Sequence, residues 1–233
     1  MNKTRIKNIL IFIFLLTLMH YFSYIPIYIF KIDMSKLSDT LKIVYLLSCD
    51  ILYMLIVYIF YNKTINNDFK NYFKNFDKNY RTSIQYYIIG YILMVVSNII
   101  ISLFFRNAIA GNEEIVRGLI DNYPLYMFFS VSIYAPFVEE IIFRKSIYDI
   151  IYSFKETKYT KYIYIITSGL IFSLMHVLGV SNNLIDYIYI IPYLCLGIAF
   201  AMLYNKTKNI FSTIMMHSLH NTIAILAHFK GGS

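Results

Sequence analysis

Three short clusters in this chain carry side chains able to move protons. The first is Pro136-Phe-Val-Glu139-Glu140-Ile-Ile-Phe-Arg144, the second Phe172-Ser-Leu-Met-His176, and the third His217-Ser-Leu-His220-Asn221. On a helix Glu140 and Arg144 are four apart and share a face, in the favourable acid-before-base order. Glu139 points about 100° away from Glu140 and has no local cation. The division of labour is therefore unequal. Arg144 neutralises Glu140 and supports the helix, while Glu139 is left as a candidate general base or acid. Phe172 precedes His176 by one turn and shields the same face from water. His217 and Asn221 are four apart, face one way and can both donate hydrogen bonds, so they are candidates to hold an oxyanion. His220 is rotated away from them and is the weaker candidate. Each cluster also has a plain structural explanation when taken singly: acids at a helix end, or a histidine packed in a core.

The elements that must position these groups are apolar. Of 233 residues 58% are hydrophobic and only 15% charged, and the mean hydropathy is +0.57. A soluble domain of this size carries about 25% charged residues. The composition excludes an ordinary soluble globule and a disordered tail, and points to an all-α, polytopic bundle of about seven to eight transmembrane helices. Apolar runs fall at about 9–30, 43–61, 84–105, 124–153, 162–180, 184–204 and 210–229. The fourth is too long for one simple span and holds Pro124 and Pro136, which predicts a break or kink near Pro136. A short extra helix around 107–123 is a further candidate. The run from Ile9 to Phe30 is too long for a signal-peptide core and lacks a cleavage site, so it reads as an anchor.

Ionisable groups inside such helices cost several kcal/mol and need a reason. Three clusters on separate apolar helices, all able to face one hydrated cavity, form a stronger signal than any one alone. Two depths decide whether they can meet. If the fourth helix restarts at Pro136, Glu139 lies in its first turn and His176, near the end of the antiparallel next helix, reaches a similar level. That requires Arg144 to be inside the membrane. His20 and His228 have no polar neighbour at helical spacing and read as packing residues.

The net charge of +8 does not indicate nucleic-acid binding, because Lys and Arg lie between apolar runs. With seven spans, 13 of the 21 fall on one side, six on the other, and Arg144 and Lys145 lie within the fourth run. This places the N-terminus in the cytoplasm. The stretch Asn62–Arg81 mixes Lys and Asn with Phe69, Tyr72, Phe73 and Phe76. It reads either as an amphipathic helix on anionic lipid or as a basic loop. Cys49 and Cys195 both sit in apolar runs and supply neither a disulfide framework nor a metal knuckle. Gly231-Gly232-Ser233 is given no function.

EEIIFR at 139–144 resembles the EExxxR motif of the CAAX-protease and bacteriocin-processing (CPBP, or Abi) intramembrane proteases. FSLMH at 172–176 resembles their FxxxH motif, and HSLHN at 217–221 their HxxxN motif. Order, spacing and the preceding Ala135-Pro136 also agree, and the likeness covers about residues 124–225. Lys145 and Ser146 replace the glycine that often follows the arginine. Residues 1–123 match no motif, so the chain divides into N-terminal helices at 1–123 and a catalytic core at 124–229. The resemblance implies an integral membrane endopeptidase. Glu139 would activate water with help from His176, His217 and Asn221 would stabilise the oxyanion, and Glu140 and Arg144 would be support.

The family is often described as metalloproteases. Glu139, His176 and His217 are acceptable zinc ligands, but the HExxH signature is absent, so a metal-free site is favoured. Expected partners are membrane lipid and a peptide or protein substrate, with peptide maturation or bacteriocin immunity as the process. The abundance of Ile, Asn, Lys and Tyr suggests a bacterial plasma membrane. The competing readings are a non-catalytic immunity or scaffold protein and a proton-coupled transporter.

Overall fold

The computed structural model describes residues 3–105, 110–178 and 184–231. Arg106, the 179–183 connection and the final Gly232-Ser233 lie outside the described residues. The described chain is helical, without a strand: α1 Lys3–Tyr21, α2 Tyr24–Phe30, α3 Asp39–Lys74, α4 Phe76–Phe104, α5 Gly111–Asn122, α6 Pro124–Ile151, α7 Thr160–Val177, α8 Ile190–Thr207 and α9 Ile210–Gly231. Six of these are long and apolar enough to cross a membrane: α1, α3, α4, α6, α8 with the turn before it, and α9. The chain is an integral, multi-pass membrane protein. The run at 162–180 becomes α7, which is not among the six; Lys161, His176 and several hydroxyl residues dilute its apolarity. The candidate helix near 107–123 is α5.

The structure sharpens three expectations. The first apolar run is two helices, not one. α1 ends at Tyr21 and α2 starts at Tyr24, with Pro26 in its first turn, where a missing N–H is tolerated. The Ser23 carbonyl between the two helices accepts the Tyr45 hydroxyl of α3. Second, Asn62–Arg81 is no loop. α3 runs on to Lys74 and α4 begins at Phe76. At 36 residues α3 is about 54 Å long, well beyond the roughly 30 Å of a bilayer core. It bends at Tyr61, whose φ of −119° and ψ of 15° leave the helical region. The extension is anchored by buried Ile65 and Tyr72, and by Asp68, whose carboxylate accepts the Ile210 N–H at 2.8 Å and so caps α9.

Third, α6 does not break at Pro136. It passes through two π-helical stretches, Ser130–Tyr134 and Ile141–Ser146. The Ala135 N–H bonds the Ser130 carbonyl, five residues back. In that register Pro136 would have to serve Val131 and cannot, so the Val131 carbonyl is left over. The Asn221 amide of α9 takes it at 2.7 Å. An incoming side chain replaces the missing backbone donor, which is how a proline is tolerated inside a lipid-embedded helix.

One buried core joins Leu15 of α1, Tyr53 and Val57 of α3, Val138, Ile141 and Ile142 of α6, Phe172 of α7, Tyr204 of α8 and Ile214 of α9. The helices before residue 123 therefore share it with those after. α7 and α8 cross at Gly169 and Gly197, the close approach that small residues permit between membrane helices. A Cβ on Gly169 would stand 2.8 Å from Ile198 Cγ1 and 3.0 Å from the Ile198 backbone nitrogen. Gly169→Val is expected to destabilise the bundle by about 1–3 kcal/mol, read as a lowered thermal unfolding temperature in detergent. Gly118→Ala, which meets nothing within 4 Å, is the matched control and should leave it unmoved.

Candidate active site

Depth comes out differently from expectation, yet the groups meet. Because α6 is continuous from Pro124, Glu139 is not in a first turn but near the helix middle. α7 ends at Val177, so His176 comes level with it, and α9 brings His217 two turns in from its start. Glu139 Oε2 lies 3.7 Å from His176 Nε2 and 4.0 Å from His217 Nε2. These separations are too long for direct hydrogen bonds. Oε2 is buried and has no hydrogen-bond partner among the described residues.

The protons on the two imidazoles follow from their other neighbours. His176 Nδ1 lies 2.9 Å from the Phe172 carbonyl, which can only accept, so Nδ1 carries the hydrogen. In the neutral ring Nε2 then presents a lone pair towards Glu139. A carboxylate oxygen and a ring lone pair facing each other at 3.7 Å are two acceptors without a donor. A molecule with two hydrogens to give satisfies both. His217 Nδ1 lies 2.9 Å from Glu140 Oε1 and likewise donates. Its Nε2 becomes a donor only when the ring is protonated.

Glu140 and Arg144 are fully buried and locked together. Arg144 Nε reaches Glu140 Oε2 at 2.8 Å and Nη2 reaches Oε1 at 3.2 Å, a two-pronged contact. Arg144 Nη1 also donates to Ser168 Oγ at 3.1 Å, and that hydroxyl donates to the Phe143 carbonyl at 2.7 Å. The guanidinium lies over the Phe172 ring, 4.6 Å from its centre. Arg144 is thus buried within a helix long and apolar enough to span a membrane. Glu140 does more than neutralise it, because it also orients His217. Rings complete the walls. Phe172 packs against His176, Tyr193 of α8 lies 4.7 Å from it, and Phe200 lies 5.6 Å from His217.

Glu139, His176 and His217 come together, with Glu140, Arg144 and Phe172 behind them. Asn221 shares the His217 face but spends one amide hydrogen on Val131. His220 turns away towards Tyr87 and Tyr91 of α4. His20 bonds the Leu16 carbonyl of its own helix. His228 pairs with Asp121 at 2.7 Å, a partner on another helix. Both cysteines are free. Ser168, Tyr193 and Phe200 were not singled out in the sequence. Ser168 gave a weak signal, a hydroxyl in an apolar helix, whereas the two rings gave none.

Among the described residues no group of three His, Cys, Asp or Glu is placed to hold a metal ion. Glu139, His176 and His217, the candidate zinc ligands of the sequence, face one another with Glu139 Oε2 at 3.7 and 4.0 Å from the two Nε2 atoms.

The chain matches the family profile described as type II CAAX prenyl endopeptidase Rce1-like over residues 121–223. It is 30% identical over 135 residues to the membrane-embedded CAAX protease MroQ of Staphylococcus aureus (strain USA300), covering 57% of this chain and 51% of that one. It is 30% identical over 119 residues to the putative membrane peptidase YdiL of Bacillus subtilis (strain 168), covering 51% of this chain and 43% of that one. The chain thus spans about half the length of the curated relatives it matches. No solved structure matches it. The matched segment contains all three polar clusters and the site they form, so over these residues the chain is similar to the type II CAAX prenyl endopeptidase Rce1-like family.

Proposed function

We propose that the protein is an intramembrane endopeptidase that hydrolyses a peptide bond with water activated by Glu139 and His176. The observation that carries this reading is the partnerless Glu139 oxygen facing the two imidazole Nε2 atoms at 3.7 and 4.0 Å. A water there donates one hydrogen to Glu139 and the other to His176, leaving an oxygen lone pair for the substrate carbonyl. As the oxygen–carbon bond forms, Glu139 takes the proton. Protonated His217 donates from Nε2 to the developing oxyanion, and the free amide hydrogen of Asn221 is the second donor. Such a donor contributes about 3–4 kcal/mol to the barrier. The C–N bond then breaks, the proton on Glu139 passes to the leaving amine, and the acyl fragment departs as a carboxylic acid.

The names of the two relatives support a peptidase, and their sources support a bacterial plasma membrane as the location. Peptide maturation and bacteriocin immunity are processes such an enzyme would serve. Comparative peptidomics of membranes holding the wild type or Glu139→Ala tests the reading. Fragments present only with the wild type are expected, whereas identical peptide profiles would favour a non-catalytic immunity or scaffold role.

The same reading needs no metal. Peptide hydrolysis by the purified protein is expected to persist after dialysis against EDTA and in 1,10-phenanthroline. Loss of activity restored by zinc would overturn the metal-free mechanism.

A further inference from the structure

The hairpin from Asn62 to Arg81, where α3 hands over to α4, takes no part in the chemistry above. It carries five cations, Lys63, Lys70, Lys74, Lys78 and Arg81, against two acids, Asp68 and Asp77. All five cations are exposed, and none is in an ion pair among the described residues. The Asp68 carboxylate is turned to the Ile210 N–H, which leaves Asp77 as the hairpin's one exposed acid.

The neighbouring spans fix the level of this hairpin. α9 has 22 residues and is about 33 Å long, little more than the roughly 30 Å of a bilayer core. Its first residue, Ile210, meets Asp68, so Asp68 stands where α9 enters the membrane. α3 covers about the same 33 Å between Asp39 and its bend at Tyr61, so the segment after the bend lies beyond the core. α4 has 29 residues where about 20 suffice to span, and its surplus is the polar first two turns that hold Lys78 and Arg81. The hairpin is thus at the height of the lipid headgroups.

The faces of the α3 segment are sorted to match. Ile65 and Tyr72 are buried against the bundle. Lys63, Lys70 and Lys74, seven and four apart, form one stripe on the opposite side. Phe69 and Phe73 occupy one flank between these stripes, and Thr64 and Asn71 the other. An aromatic flank across from a polar one is the pattern of a helix at a membrane surface. The rings continue as a row, Phe211, Phe69, Phe73, Phe76 and Tyr80, with successive centres 5.2, 4.7, 6.1 and 5.5 Å apart. The last four are each 39–49% exposed, so one side of the row has no protein cover. Half-open rings beside cations without counter-ions suit one surface, acyl chains below and phosphates above.

We propose that this hairpin is a docking surface for anionic lipid, with the aromatic row set at the acyl boundary and the five cations on the headgroup phosphates. It stands apart from the peptidase reading. Because Asp68 and Phe69 hold the first turn of α9, the same contact sets the height of the helix that carries His217.

The chain has no tryptophan, so Phe73→Trp places a single indole in the row. Full-length protein is placed in phosphatidylcholine nanodiscs containing a minor fraction of acyl-brominated phosphatidylglycerol or, in a second sample, acyl-brominated phosphatidylcholine. Bromine quenches an indole that touches the chains. At low salt the anionic lipid is expected to quench about twofold more than the zwitterionic one. The ratio should fall to one in about 1 M salt, where the Debye length is about 3 Å, and likewise when Lys70→Gln, Lys74→Gln and Lys78→Gln are combined. The salt arm uses the folded protein with its cations intact, so it decides the matter even if the combined variant fails to fold. Equal quenching by the two lipids at low salt would overturn the proposal, as would a preference that survives both salt and the folded combined variant. Absence of quenching by either lipid would put the row outside the bilayer and overturn it too.

Discussion

Glu139→Gln is expected to yield a folded membrane protein whose kcat for peptide hydrolysis is lower by about 10³-fold or more, the scale of a lost general base. The variant keeps the size and shape of the side chain and removes only its ability to take a proton. Stability should not suffer, because the wild-type Oε2 has no hydrogen-bond partner to lose. The unfolding temperature in detergent is expected to stay the same or rise, as it does where a catalytic group is held against its own stability. Steady-state kinetics and a thermal scan on one preparation check both halves. Full activity in the variant would remove Glu139 from the mechanism. A collapse in stability would make it a structural residue.

Arg144→Met should do the opposite, acting first on the fold. Arg144 and Glu140 are both fully buried, so removing the guanidinium strands a carboxylate and frees Ser168. Breaking one half of such a pair costs about 3–5 kcal/mol. Replacing both, as Glu140→Gln with Arg144→Met, leaves no isolated charge and should restore most of the unfolding temperature. Activity should not return with it. Glu140 also accepts the His217 Nδ1 hydrogen at 2.9 Å, and the neutral amide holds that ring less firmly in its protonated form. Glu140 is thus a positioning residue. Stability recovered without kcat distinguishes that role from simple support of the helix, and recovery of both would refute it.

Much of this protein is legible in its residues before any coordinates are known. Ionisable groups are so costly in lipid that Glu139, Glu140, Arg144, His176 and His217 announce themselves by appearing in apolar runs at all. The four-residue spacing of Glu140 and Arg144 is a contact within one helix, so helical geometry alone implies their pairing, and the composition alone makes the chain a bundle of spanning helices. Contacts between helices are another matter, since they depend on how each helix is rotated and shifted against its neighbours. Only the tertiary structure shows Glu140 holding His217 across 77 positions, Asp68 capping α9, and Asn221 serving a carbonyl that Pro136 cannot. Apolar periodicity reports which residues avoid water, and a helix uniformly apolar around its circumference carries little information about which side meets which neighbour. In lipid that choice is settled by close packing at small residues such as Gly169 and Gly197, and by the need of every buried polar group for a partner.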